Sequence, residues 1–254
     1  MLESYLREKR SQKEILLMTH IVLGYPSFSQ AYRIVEAMVE AGVDLIELQI
    51  PFSEPMADGP VILNANQSAL AAGSSVEQCL AFAGEVCARF EIPFLFMSYY
   101  NILYKYGVDR FAAAMAKAGI RGAIVPDLPP EEAEDYLKAM VINQLAPVFI
   151  FSPNTPDQRL QFIADHAKGF IYCVARTGVT GSRTEFSQQL DAYLNRCRRA
   201  TKLPLALGFG VKDKADIDFL RGKVDIAVIG SQTIRTVDKK GVEAVEGFIR
   251  GLTL

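Results

Sequence analysis

Residues 43–50 of this chain read VDLIELQI, and residues 51–60, which follow, read PFSEPMADGP. The first segment is apolar apart from Asp44 at its start and Glu47 and Gln49 towards its end. Strands of parallel sheets are buried on both faces and read as near-continuous apolar runs. The segment therefore predicts one strand of a parallel sheet, followed by a loop that carries polar side chains.

Seven similar apolar runs occur elsewhere, separated by helical patterns. The eight predicted strands begin near Leu16, Val43, Pro93, Arg121, Pro147, Gly169, Leu203 and Val224. Eight strands alternating with helices favour a (β/α)8 TIM barrel. An open doubly wound sheet is the alternative, but no GxGxxG motif follows the first strand. The charged segment 1–14 predicts an extra N-terminal helix.

The composition supports a single barrel domain spanning residues 1–254, with two small domains as the alternative. The chain has 254 residues, of which 50% are hydrophobic and 22% charged, and barrels of this kind need about 250 residues. The formal net charge is −2, so nucleic acids and anionic membranes are not expected partners. No apolar run approaches the roughly 18 residues that span a bilayer.

Few residues are available for metal or triad chemistry. The four cysteines form no CxxC pair or zinc-type spacing, which is typical of core thiols in a reducing, cytoplasmic protein. His20 and His166 are the only histidines. Neither a histidine metal site nor a Ser-His-Asp triad is therefore expected.

Glu47 is the first candidate for catalysis. Side chains alternate faces along a strand, which predicts that Glu47 faces the barrel interior with Val43, Leu45 and Gln49, while Ile46, Leu48 and Ile50 face the helices. A carboxylate buried there is costly unless it is used, paired or protonated, and desolvation suits it to general acid–base catalysis. A structural glutamate satisfied by a partner is an equally good interpretation of this pattern.

The loop after this strand supplies a second carboxylate. Three prolines and a glycine within ten residues fix its path, which indicates that Asp58 is held beside Glu47. An ordinary turn at Asp58 and Gly59 is the alternative.

Glycines cluster in three late loops, at residues 176–182 (RTGVTGS), 208–210 (GFG) and 230–231 (GS). Backbone N–H groups approach an anion closely at glycines and at helix N-termini, and barrels often hold phosphate after strands seven and eight. The loops predict a phosphorylated small-molecule substrate.

These motifs together resemble the alpha chain of tryptophan synthase. ELQIPFSEPMADGP is similar to the family's ELGxPFSDPxADGP. LGYP before it, and MSYYN, PDLPPEE, RTGVTG, GFG and GS after it, occur in the expected order. The resemblance implies a lyase of tryptophan biosynthesis that cleaves indole-3-glycerol phosphate to indole and glyceraldehyde 3-phosphate. It implies no metal or organic cofactor. It also implies a beta-chain partner that consumes indole with pyridoxal phosphate, in an alpha2-beta2 heterotetramer.

The resemblance assigns roles to residues of this chain. Glu47 matches the acid–base, and Asp58 matches the carboxylate that accepts the indole N–H. The implied substrate-binding residues are Tyr172, Thr180, Gly181, Phe209, Gly210, Gly230, Ser231, Phe96, Ile124 and His20. The implied beta-chain interface is formed by Pro55, Met56, Tyr100, Asn101 and Pro129, although exposed proline and methionine can also merely shape loops.

Several positions depart from the family's pattern. Gln49 replaces a glycine on the face of Glu47, where it would crowd the indole site or hydrogen-bond the carboxylate. Tyr25 and Glu54 replace aspartates, and Thr177 replaces a small residue of the mobile loop. These departures keep two alternatives open: a weakly active or non-catalytic barrel that regulates a beta chain, and a free-standing lyase that releases indole. The fold alone also fits other phosphate-binding barrels, but the motif at residues 51–60 argues against them.

Overall fold

The computed structural model describes residues 2–175, 183–208 and 210–253, without the side chains of residues 183–187 and 253. The strands are β1 (Leu16–Val22), β2 (Leu45–Gln49), β3 (Phe94–Met97), β4 (Gly122–Ile124), β5 (Ala146–Phe151), β6 (Ile171–Val174), β7 (Leu205–Gly208) and β8 (Ile226–Ile229). Each pairs in parallel with its neighbours in sequence, and β1 pairs with β8. The predicted closed (β/α)8 barrel is confirmed.

The helices cover the outside of this barrel. They are α1 (Leu2–Gln12), α2 (Phe28–Glu40), α3 (Pro60–Ala71), α4 (Val76–Arg89), α5 (Tyr100–Tyr106), α6 (Val108–Ala118), α7 (Glu134–Ile142), α8 (Asp157–His166), α9 (Arg183–Ala200), α10 (Lys214–Leu220), α11 (Ser231–Lys240) and α12 (Ala244–Thr253). A 3₁₀ turn (Pro130–Glu132) precedes α7. Among the residues described, no helix is long and apolar enough to cross a membrane.

Alternation along the strands separates two buried clusters. On β2, Leu45 belongs to the cluster inside the barrel, whereas Ile46 and Leu48 belong to the cluster between strands and helices. Val43 packs with the outer cluster, which corrects its predicted inward orientation. The reason is that β2 begins only at Leu45, so strand alternation does not extend back to Val43.

The predicted N-terminal helix is present as α1, and it covers the N-terminal end of the barrel. Leu2 and Leu6 are buried in the interior cluster, and the Tyr5 hydroxyl donates to the backbone oxygen of Asp44 at 2.8 Å. The Asp44 carboxylate in turn accepts from Lys13 Nζ at 2.6 Å and from the backbone N–H of Leu17 at 2.9 Å. These contacts fix α1 to the start of β1 and β2.

The first and last strands meet at a seam that Asp225 stabilises. Its backbone oxygen accepts from the N–H of Leu16 at 2.9 Å, and its Oδ2 accepts from the N–H of Leu205 at 2.8 Å. Arg10 Nε lies 3.3 Å from Asp225 Oδ1. One residue thus ties the start of β1 to β7 and to α1.

Candidate active site

A cavity of about 300 Å³ opens at the C-terminal ends of the strands, where barrels of this type carry their chemistry. The predicted site residues on its wall are His20, Glu47, Asp58, Ile124, Tyr172, Gly210, Gly230 and Ser231. The predicted Thr180, Gly181 and Phe209 lie outside the described residues, as does Thr177.

Glu47 lies at the base of this cavity on β2, directly opposite His20 of β1. The two residues are only 3% and 4% exposed, and His20 Nδ1 lies 3.2 Å from Glu47 Oε1. Among the described residues, nothing hydrogen-bonds Glu47 Oε2. One carboxylate oxygen of Glu47 therefore contacts His20, and the other is available to a ligand.

Asp58 is carried to the same cavity by the loop between β2 and α3. The loop ends at Gly59, the N-cap of α3, and Pro60 supplies the fixed φ that suits a first helical position. Tyr99, which follows β3, holds the loop from the interior cluster: its hydroxyl accepts from the N–H of Ala57 at 3.1 Å and donates to Asp58 Oδ2 at 3.2 Å. Loop stiffness and the Tyr99 contacts together place the second carboxylate.

Asn66 fixes the beginning of the same loop. Its Oδ1 accepts from the N–H of Phe52 at 2.9 Å, and its Nδ2 donates to the backbone oxygen of Ile62 at 2.8 Å. The Phe52 ring stacks on Tyr99 at a centroid distance of 5.1 Å. Asn66 and Tyr99 were not singled out from the sequence. The available signal for Tyr99 was its place as the first tyrosine of MSYYN, whereas the complete burial of Asn66 is seen only in the structure.

Gln49 contacts Asp58 rather than Glu47. Its Nε2 donates to Asp58 Oδ2 at 2.6 Å, and its side chain is completely buried. The expectation that it shares the inner face of β2 with Glu47 is correct. A hydrogen bond to the Glu47 carboxylate does not form, because the loop brings Asp58 over the end of β2.

Burial and charge shape the proton affinities of these groups. Desolvation raises the pKa of Asp58, and this effect exceeds the opposing ones of His20 and of the hydrogen bonds from Gln49 and Tyr99. For His20, burial lowers the pKa, but the Glu47 carboxylate, helped by Asp58 and Gln49, more than offsets this and leaves the pKa above its ordinary value. The pKa values of Asp58 and His20 therefore depend on each other's charge as well as on burial.

An apolar wall faces the carboxylates. It consists of Met97, Ile124, Ile150, Val174, Val228 and the ring of Tyr172. A Cβ on Gly208 would lie 3.1 Å from this ring, so the glycine leaves room for Tyr172. Desolvation raises the pKa of Tyr172 well above its ordinary value, with further contributions from Glu47 and Asp58, so its phenol is a neutral wall. The wall is suited to a flat aromatic group.

Phe96 does not belong to this wall, which corrects the prediction. It packs in the outer cluster, with its ring centroid 6.1 Å from that of Phe111 on α6. Met97 lines the cavity instead. Every residue of the run FLFM is apolar and buried, so hydrophobicity alone does not show which of them face the barrel interior and which face the helices.

Two glycines and a serine form another part of the cavity wall. Gly210, Gly230 and Ser231 line it, and Gly230 is the N-cap of the ten-residue helix α11 that begins at Ser231. The free N–H groups and the dipole of such a helix start favour an anion. The site thus combines two carboxylates, an apolar wall and a helix start suited to an anion.

The residues predicted to contact a partner surround the mouth of the barrel. Met56 is 83% exposed, Asn101 and Pro129 are also exposed, and Tyr100 is partly exposed. Pro55 is buried within this chain and offers little surface, because it shapes the turn that presents Met56.

The comparisons with known proteins agree over the whole chain. The sequence model of the family described as Tryptophan synthase alpha chain matches residues 6–251. A relative of that name from Syntrophotalea carbinolica is 65% identical over 252 residues, covering 99% of this chain and 100% of the relative. One from Desulforapulum autotrophicum is 64% identical with the same coverage.

Solved structures give the same result. A chain of Mycobacterium tuberculosis tryptophan synthase superposes with a TM-score of 0.91 at 30% identity, covering 99% of this chain and 96% of that one. The tryptophan synthase subunit alpha of Legionella pneumophila superposes with a TM-score of 0.90 at 28% identity and the same coverage.

Proposed function

This chain belongs to the tryptophan synthase alpha chain family, and from that premise we propose that it cleaves indole-3-glycerol phosphate to indole and glyceraldehyde 3-phosphate with Glu47 and Asp58 as its working carboxylates. The observation that carries this assignment is the meeting of both carboxylates with an apolar wall and the start of α11 in one cavity. The apolar wall matches the aromatic ring of the substrate, the carboxylates match its polar groups, including the glycerol hydroxyl, and the helix start matches its phosphate.

The chemistry is a retro-aldol reaction. A proton added at indole C3 makes the ring an electron sink, and loss of the proton from the glycerol hydroxyl drives cleavage of the carbon–carbon bond. The bonding electrons return to the indole ring as the aldehyde forms. Glu47 is the group that moves these protons, because it is buried at the base of the cavity with Oε2 free.

Asp58 binds the indole nitrogen. Its Oδ2 already accepts from Gln49 and Tyr99, so Oδ1 remains to accept the indole N–H and to stabilise positive charge that develops on the ring. Gln49 thus holds the carboxylate without using both oxygens. This arrangement favours an active lyase over a non-catalytic regulatory barrel.

The phosphate is held by backbone N–H groups at Gly210, Gly230 and Ser231. Gly230 and Ser231 lie at the start of α11, which supports this, since a helix N-terminus needs no cationic side chain to favour an anion. Gly210, in the loop after β7, lines the same cavity. Thr180, Gly181 and Phe209 are proposed to contribute to the same site from the family resemblance alone.

Indole release from indole-3-glycerol phosphate by the purified chain, with and without a beta chain, tests the assignment. Glu47→Gln and Asp58→Asn should each lower kcat by at least about 100-fold, as expected for an acid–base group. Glu85→Gln on the exposed face of α4 is the matched control and should behave like wild type. Full activity of either Glu47→Gln or Asp58→Asn would contradict the proposed mechanism.

We also propose that the chain works in the cytoplasm with a beta chain, in an alpha2-beta2 complex. The exposed Met56 lies in the same loop as Asp58, which supports a contact that couples the two subunits. Met56→Asp should weaken co-elution with the beta chain while leaving indole release by the isolated chain unchanged. Co-elution that survives this change would exclude Met56 from the interface, and a wild-type chain that never binds a beta chain would favour a free-standing lyase.

A further inference from the structure

Two side chains that the proposed reaction does not require, His20 and Gln49, lie between its two carboxylates. His20 Nδ1 is 3.2 Å from Glu47 Oε1, and Gln49 Nε2 donates to Asp58 Oδ2 at 2.6 Å. Both side chains are buried inside the mouth of the barrel. Each carboxylate therefore already has a polar partner before any ligand binds.

The remaining polar atoms of the two side chains complement each other. His20 Nε2 and Gln49 Oε1 are both buried and lack a hydrogen-bond partner among the described residues. His20 lies opposite Glu47 in the register of β1 and β2, and Gln49 is two residues further along the same face, about 7 Å on. Long side chains can span that separation, and leaving both atoms unpaired would be costly.

The direction of the known hydrogen bond determines which atoms carry hydrogen. Gln49 uses its amide N–H on Asp58, so its carbonyl oxygen can only accept, and the matching donor is His20 Nε2–H. The ring atom at which His20 can then gain or lose a proton is Nδ1, and Nδ1 faces Glu47.

We propose that Gln49 Oε1 accepts a hydrogen bond from His20 Nε2–H and that His20 thereby stores the proton that Glu47 transfers. The proton passes from Glu47 Oε1 to His20 Nδ1, which leaves a carboxylate and an imidazolium, and it returns by the same path without any change in electron count. Glu47 is then ionised when it must accept the hydroxyl proton and protonated when it must donate to the ring. The role in catalysis rests on the proposed function, whereas the hydrogen-bonded chain itself does not.

The charges around His20 agree with this role. The titratable groups that face it are Glu47 from β2 and Asp58 from the loop, with Tyr172 of β6 on the same cavity wall. The neighbouring β8 contributes apolar residues, and no lysine or arginine lines the cavity within the described residues. Its surroundings therefore favour the imidazolium despite complete burial.

Nitrogen NMR of the ligand-free protein tests the hydrogen-bonded chain. The sequence has only two histidines, so ¹⁵N-histidine labelling gives two spin systems, and a His166→Gln variant assigns them. We expect His20 Nε2 to stay protonated across the titration while Nδ1 loses its proton. A ligand-free wild type in which Nε2 is the unprotonated nitrogen would overturn the proposal.

Gln49→Leu removes the acceptor while keeping the buried volume, and Gln49→Met is a second variant should the first fail to fold. Either should shift the His20 titration midpoint downward and weaken the Nε2–H tautomer, and Glu47→Gln should also shift the midpoint downward. Thr19→Val is the control, because Thr19 is adjacent in β1 but points to Met38 of α2. An unchanged midpoint and tautomer in both Gln49 variants would contradict the inference.

Kinetics then separate the inference from the proposed function. Gln49→Leu should lower kcat for indole release by about tenfold, a fraction of the 100-fold or more for a full acid–base group, and should move the pH profile of kcat with the NMR midpoint. A loss of kcat with an unmoved pH profile would show a merely structural role. A wild type that releases no indole would refute the proposed function while the NMR result still decides the hydrogen bond.

Discussion

Tyr99→Phe removes a single hydroxyl that holds the loop carrying Asp58. The ring is fully buried and stacks on Phe52 at 5.1 Å, so phenylalanine keeps the packing. What disappears is the hydrogen bond from the N–H of Ala57 and the one to Asp58 Oδ2. The substitution therefore isolates the positioning of the loop from the stability of the core.

The expected loss of stability follows from these two hydrogen bonds of Tyr99. Ala57 is exposed, so water replaces its lost partner at little cost, whereas a hydrogen bond to a charged group contributes about 2 kcal/mol. For a chain of this length that corresponds to a fall in Tm of about 4–8 °C. Because the Tyr99 hydrogen bond lowers the pKa of Asp58 against the larger effect of burial, its removal raises that pKa further.

Two measurements check these values. Thermal unfolding followed by circular dichroism gives Tm, and the pH profile of kcat/KM for indole release gives the acid limb. We expect kcat/KM to fall about tenfold at neutral pH, about 1.4 kcal/mol, and the acid limb to move to higher pH. Tyr32→Phe on α2, whose ring packs near Phe90, is the control. An unmoved acid limb with wild-type Tm would refute the reasoning.

Three further outcomes are expected. Leu6→Ala beneath the barrel should lower the free energy of unfolding in urea by about 3 kcal/mol, with an unchanged kcat at temperatures where the variant is folded. Gly208→Ala should displace the Tyr172 ring, which would lie 3.1 Å from the added methyl group. It should raise KM for indole-3-glycerol phosphate several-fold, about 1 kcal/mol. An unchanged KM would show that the Tyr172 ring does not contact the substrate. Because the folded pKa of His20 is raised above 6.5, its contribution to stability is full below that pH and is lost as pH rises through the folded value. His20→Phe should therefore flatten urea-derived stability in this window, and a decline as steep as wild type would contradict the linkage.

The sequence predicted the parts of the site that depend on strand alternation. Glu47 and Gln49 share the inner face of β2 because apolar and polar residues differ there. Phe96 was predicted from the family resemblance, and that prediction was wrong. Strand alternation could not have corrected it, since all four residues of β3 are apolar and buried.

The contacts of the loop could not be derived from the sequence. The hydrogen bond from Gln49 to Asp58 depends on how residues 51–59 fold back over β2, and Tyr99 reaches Ala57 from 42 positions along the chain. Tyr99 and Tyr100 are chemically alike in sequence, and only the end of β3 decides which of them turns inward. Such contacts are set by tertiary structure rather than by local pattern.

The seam at Asp225 joins two distant parts of the chain that both line the cavity. The groups proposed to transfer protons come from residues 20–58, and the backbone proposed to bind phosphate comes from residues 208–231. These two parts of the chain become neighbours through the pairing of β8 with β1. A chain truncated before β8 is therefore expected to keep Glu47 and Asp58 but to lack the start of α11, which is proposed to bind the phosphate.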